Sequence, residues 1–156
     1  MIKGAVDAIH TASQGAEKVT PREEIVVIEG RGIEGDRYYE GKGTFSKSNR
    51  YAEGSSTNGR DLTLIEVEAV DAVLKDYQIE IKPGAHRRNI TTRGVALNHL
   101  VGKKFRIGEV MCKGVCLCIP CRHMESLTSK GVMKALAHRG GLRADILEGG
   151  VIKVGS

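Results

Sequence analysis

All four cysteines of the chain, Cys112, Cys116, Cys118 and Cys121, fall within ten residues and form the run C-x3-C-x-C-x2-C. Thiols this close together suit either a soft-metal site or a nucleophilic sulfur with neighbours tuned around it. Cys121 is the reactive candidate, because Pro120 restricts the backbone ahead of it while Arg122 and His123 bring positive charge that favours a thiolate. Cys118 is placed to resolve an oxidised Cys121, and Cys112 and Cys116 read as small apolar core residues. In an extended chain Cys112, Cys116 and Cys118 share side-chain parity. A closed zinc site prefers two knuckles separated by a longer stretch, so no structural zinc is expected.

A second group of residues suits anion recognition. Arg87-Arg88-Asn89 follows Pro83-Gly84 and precedes a strand, setting two guanidinium forks and an amide beside a turn. Arginine meets phosphate or carboxylate with paired hydrogen bonds, which lysine cannot do. Gly30-Arg31-Gly32-Ile33-Glu34-Gly35 matches G-x-G-x-x-G. Dinucleotide binding needs a helix to start at those glycines, however, and the following Asp36-Arg37-Tyr38-Tyr39 has no helical period. The glycines instead predict a tight turn that presents Asp36 and Arg37. His86, His99, His123 and His138 form no i, i+4 metal pair, and only His123 has a chemical neighbour close in sequence.

The elements that must hold these groups are mostly strands. Alternating or short apolar runs predict them at residues 2–9, 24–28, 62–65, 89–92, 104–107, 110–115, 143–147 and 151–154, separated by glycines in the manner of a barrel or a strongly bent sheet. Helical periodicity covers residues 66–77, with Val67, Val70, Val73, Leu74 and Tyr77 on one face. Two shorter helices are expected, one after Cys121 around Met124 and Leu127 and one over residues 132–137. Residues 38–59, rich in glycine and serine, read as a long surface loop.

At 156 residues the chain has the size of one domain that buries a core without disulfide staples. No apolar run approaches the roughly 20 residues that span a bilayer, and the first residues lack the basic and apolar regions of a signal peptide. A reduced, cytoplasmic protein is expected. The 24 Lys and Arg against 19 Asp and Glu give a net charge of +5, which suits an anionic ligand or partner. Nucleic acid is disfavoured: the basic residues are scattered, there are four Tyr, two Phe and no Trp, and no nucleic-acid-binding motif occurs.

Taken in series, seven short elements resemble the MOSC domain, the family named after the C-terminal domain of molybdenum cofactor sulfurases. They are Gly32-Ile33-Glu34-Gly35-Asp36-Arg37-Tyr38, Gly43-Thr44-Phe45-Ser46, Arg60-Asp61-Leu62-Thr63-Leu64-Ile65, Pro83-Gly84 leading to Arg88-Asn89-Ile90, Leu100-Val101-Gly102 with Ile107-Gly108, Pro120-Cys121, and Arg139-Gly140-Gly141-Leu142-Arg143-Ala144. The resemblance implies a single domain over residues 1–156, a mainly β fold and a barrel of mostly antiparallel strands with a few peripheral helices. It makes Cys121 the family's hallmark cysteine, a persulfide carrier for metal-sulfur centres or, in amidoxime-reducing relatives, a molybdenum ligand. Arg88 and Asn89 look like the residues that hold the pterin phosphate in those relatives. The reading that follows is a sulfur carrier or transferase in which Cys121, Cys118 and His123 do the chemistry. Asp36, Arg37, Arg60, Arg88, Asn89 and Arg143 shape an anion pocket for a molybdenum cofactor (molybdopterin). A cysteine desulfurase-type donor and a cofactor-bearing acceptor protein are its expected partners. The rival readings are a molybdopterin-binding reductase of N-hydroxylated compounds and a non-catalytic metal-binding module.

Overall fold

Strand alternation organises the whole molecule. The computed structural model describes residues 4–12, 19–36, 59, 61–82, 84–119 and 130–156. In chain order these form β1 (Ala5–Thr11), β2 (Thr20–Arg22), β3 (Glu24–Ile28), β4 (Gly32–Ile33), β5 (Leu62–Glu66), α1 (Val67–Tyr77), β6 (Ile90–Arg93), a 3-10 turn (Leu97–Leu100), β7 (Lys104–Ile107), β8 (Val110–Leu117), α2 (Val132–Ala135), β9 (Leu142–Glu148) and β10 (Gly150–Lys153). The mainly β class expected from the sequence holds. The two-residue β4 and the short β2, with Pro21 at its centre, carry too little pattern to be read in advance. The expected helix after Cys121 lies outside the described residues.

Seven strands form one sheet in the order β2-β1-β6-β5-β9-β8-β7, and β10-β3-β4 form a second. Among the described strands every pairing is antiparallel except that of β5 with β6, whose strands are joined by α1 and run parallel. Leu64, Ile90, Leu142 and Ile146 of the large sheet share one buried core with Ile25, Val27, Ile33 and Ile152 of the small one. That packing replaces the expected barrel: among the described residues β2 and β7 are sheet edges that do not pair, so the sheet stays open. The small sheet covers its apolar face instead.

Helix α1 starts directly at the end of β5 and ends at Gln78, whose left-handed backbone (φ 54°) donates its N–H to Leu74 O. Its buried stripe is narrower than the periodicity implied. Ala69 and Val73 are buried, whereas Leu74 and Tyr77 are 50% and 46% exposed. Val73, with Val70 beside it, meets Ile65, Val132 and Leu136 in a second apolar cluster. Leu74 lies off the i, i+4 row of Ala69 and Val73, and Tyr77 continues that row only at its exposed end, as the last residue of the helix. Among the described residues no helix is long and apolar enough to cross a membrane.

Candidate functional site

The strands that bury Leu62, Leu64, Ile90, Leu142, Ala144 and Ile146 on one face carry polar residues on the other, as the period of two requires. Register aligns these into a row. Cys116 on β8 is opposite Arg143 on β9, and Arg143 is opposite Thr63 on β5. Thr63 bonds Asn89 just ahead of β6, and Asn89 O accepts the N–H of His10 on β1. His10, Thr63, Asn89 and Arg143 are all buried. A polar face would ordinarily be solvated; this one is withdrawn from water and linked internally.

Asn89 is the hub. Its Oδ1 accepts from Thr63 N (3.1 Å) and Thr63 Oγ1 (3.0 Å), and Thr63 Oγ1 in turn accepts from Asn89 N (3.0 Å). Its Nδ2 donates to His10 O and to Asp36 Oδ1, both at 3.3 Å. Asp36 Oδ1 also accepts from Ala12 N at 3.0 Å. The amide is thus fully engaged within the protein, and its part in the site is to hold the floor. Asp36 arrives there through the glycine turn that the sequence predicted. Gly35 has φ +87° and Asp36 N donates to Ile33 O. Gly30 and Gly32 belong to a β3–β4 hairpin, and no helix begins among the described residues up to Asp36.

Arg88 is held differently. Its Nε donates to Gly140 O at 2.8 Å and its Nη1 to His86 O at 3.3 Å. Nη2 is buried and has no hydrogen-bond partner among the described residues. Gly141 permits this approach, since with φ +115° a side chain there would collide with Leu64 O beside Arg88 Nε. The ring of His86 accepts Arg88 N at Nδ1 (3.0 Å), so the network assigns the proton to Nε2, which faces Thr91 Oγ1 at 3.2 Å. His10 and His86 meet edge to face with centroids 6.3 Å apart. Burial, then the Arg88 cation and then His10, hold His86 down to about 3. Burial likewise lowers His10.

The cysteines separate. Cys112 faces the core opposite Ile146, where burial, helped by Asp61, pushes its thiol up to about 12. A bulge between Gly114 and Cys116 inserts one residue and moves Cys116 to the polar face opposite Arg143. This overturns the shared parity of Cys112 and Cys116. Cys116 is half-buried: burial raises its thiol and Arg143 opposes the rise, while Cys118 and Asp145 add to it. Cys118, just past β8, is buried and donates its N–H to Gly141 O at 2.7 Å. A cavity of about 450 Å³ opens beside it, walled by Ile119, Met133, Ala137, His138 and Gly140. Among the described residues no cluster of three or more His, Cys, Asp and Glu is arranged for a metal.

Asp36, Arg88, Asn89, Arg143 and Cys118 are therefore gathered around the β5–β9 strands, while Arg37, Arg60, Cys121 and His123 lie outside the described residues. His10, His86, Thr63 and Thr91 belong to the same network and were not singled out from sequence. The signal available for the two threonines was their alternation with Leu62, Leu64 and Ile90. The MOSC domain family model matches residues 52–156. The chain belongs to the MOSC domain family. The matched span holds Arg60, Arg88, Asn89, Cys118, Cys121, His123 and Arg143, and it ties the chain to a family associated with the molybdenum cofactor. No curated protein matches the sequence. Among solved structures, the YuaD protein from Bacillus subtilis superposes with TM-score 0.69 at 14% identity, over 99% of this chain and 95% of that one. YiiM from Geobacillus stearothermophilus gives 0.69 at 15% identity over 98% and 72%. YiiM from Escherichia coli gives 0.60 at 14% over 97% and 65%. At such identities the likeness is one of fold.

Proposed function

We propose that this MOSC chain is a sulfur carrier or transferase that works through a persulfide on Cys121. The Cys121 thiolate attacks the outer sulfur of a persulfide on a cysteine desulfurase-type donor. The donor S–S bond breaks, the donor cysteine leaves as thiolate, and the sulfur remains on Cys121. Delivery is to an anionic acceptor bearing a metal-sulfur or molybdenum cofactor centre. Cys118, three residues away in sequence, attacks the inner sulfur of the Cys121 persulfide, so that the outer sulfur leaves as hydrosulfide for the acceptor and a Cys118–Cys121 disulfide forms, which a dithiol reductant returns to two thiols. His123 supports the thiolate.

One observation carries the anionic part of this reading: Arg88 is a buried cation with two nitrogens committed to carbonyls and a third, Nη2, without a partner among the described residues. Burying such a donor costs free energy unless a ligand meets it. A pterin phosphate fits that requirement, with Arg88 as its ligand and Asn89, Asp36 and Thr63 as the support beneath; Arg37, Arg60 and Arg143 add positive charge. The same fit serves the second reading, a reductase of N-hydroxylated compounds in which Cys121 ligates molybdenum. When bound, that metal would supply the redox chemistry.

The test is incubation with a cysteine desulfurase and labelled cysteine, followed by intact-protein mass spectrometry. Label on wild type and none on Cys121→Ser is the expected result. An unlabelled wild type overturns the carrier reading. Molybdenum and pterin copurifying in stoichiometric amounts from a cofactor-competent host would select the reductase.

A further inference from the structure

We infer that His86 is a positioning residue for the anion site: it grips Arg88 at both the main-chain N–H and the guanidinium, and so fixes the rotamer that leaves the buried Nη2 without a partner among the described residues. The inference rests on the anion-binding reading of Arg88.

The turn that precedes β6 makes the grip possible. Ala85 N donates to Lys82 O and Arg87 N to Gly84 O, and Arg87 itself is left-handed (φ 66°). This folds the chain back so that the ring of His86 lies over the N–H two residues on, while its carbonyl meets Arg88 Nη1. Gly140 O fixes Nε from the other side. Two anchors from different segments leave the guanidinium no freedom to rotate, and the third nitrogen is presented without further ordering. Nδ1 must remain an acceptor for the grip to hold, which Thr91 Oγ1 favours by accepting a hydrogen bond from Nε2–H. Burial and the adjacent cation keep the ring neutral throughout the physiological range. Sequence reading passed over His86 because it has no metal-pair spacing; its role is local, at i, i+2, and depends on the turn.

Arginine-selective proton–nitrogen spectra of the full chain, with inorganic phosphate titrated in, follow Arg88 Nε directly. In wild type the Arg88 signal shifts saturably. His86→Ala weakens phosphate binding about tenfold, as expected for losing the alignment of one charge-assisted hydrogen bond, and broadens the Arg88 signal. His86→Asn supplies an oxygen that accepts Arg88 N, so it recovers most of the affinity while melting below wild type. Equal affinity in wild type and His86→Ala overturns the inference, as do losses that simply follow melting temperature in both variants. Should the His86 variants not fold, Thr91→Val tests the same grip. A broadened Arg88 signal with about threefold weaker binding supports it, and an unchanged spectrum and affinity refute it. Arg88→Ala, with phosphate affinity read by calorimetry because the Arg88 signal is gone, separates the two levels. If it abolishes binding and His86→Ala leaves the affinity at the wild-type value, only the positioning role fails. If it changes nothing, or wild type shows no saturable shift, the anion-site reading fails and the inference with it.

Discussion

The two faces of the seven-stranded sheet are made from alternate residues of the same strands, yet they serve opposite ends. On one, Leu64, Ile90, Leu142 and Ile146 pack against the small sheet. On the other, Thr63, Asn89, Arg143 and His10 are buried as deeply, and hydrogen bonds tie Thr63 to Asn89 and Asn89 to the His10 carbonyl. Apolar burial is tolerant and contributes stability in proportion to area. Buried polar groups depend on each partner being present, and a missing one costs more than the bond contributes. The first face holds the molecule together, and the second gives up stability to keep a cation and its supports in fixed positions.

The comparison can be broken most forcefully with acid. Above pH 6.5 His86 is neutral in both folded and unfolded chains; below it the unfolded chain takes up a proton that the folded one refuses until about 3. Its contribution is therefore complete above pH 6.5 and is lost as pH falls toward 3, an effect of up to roughly 5 kcal/mol. Urea titrations from pH 7 to pH 4 should show a stability slope that flattens by nearly one proton in His86→Asn; identical slopes would contradict it. On the apolar face, Leu64→Ala should cost about 3 kcal/mol by equilibrium unfolding, with phosphate affinity unchanged once the protein is folded. Thr63→Val tests the polar face with little change of volume. It strips the acceptor from Asn89 N–H and should cost about 2 kcal/mol, and phosphate affinity should fall with it. Leu74→Ala, at an exposed position on α1, should move stability by no more than about 0.5 kcal/mol. A larger loss would mean the helix buries the broader stripe its periodicity suggested.

Much of the scaffold was legible because strand alternation reports burial on one face directly. The eight strands read from sequence are all present, with β3 and β7 at the expected bounds. Closure was not legible, since whether edge strands meet depends on accumulated twist and on what else covers the core. Burial of the second face was not legible for a related reason: alternation marks Thr63 and Arg143 as facing away from Leu62 and Leu142 without saying what covers them. Only packing shows that they are buried. The bulge beside Cys116 was hidden too, because one inserted residue reverses every later side chain without altering composition. Asp36 was found through its glycines and Arg88 through its chemistry, while His86, whose work is geometric, left no mark in its spacing.

The polar row also bears on the order in which the molecule assembles. It joins positions 10, 63, 89, 116 and 143, and its centre is the parallel β5–β6 pair, whose strands are brought together only by the intervening helix. Hairpins such as β7–β8 close from neighbouring residues and form early, whereas pairings between distant segments form slowly because the loop entropy is lost before the contacts reward it. A chain with its hairpins formed but β5, β6 and β9 not yet aligned has strands and no Arg88 pocket. Recovery of phosphate binding during refolding consequently marks completion of the sheet, and it lags the far-ultraviolet signal that records the hairpins.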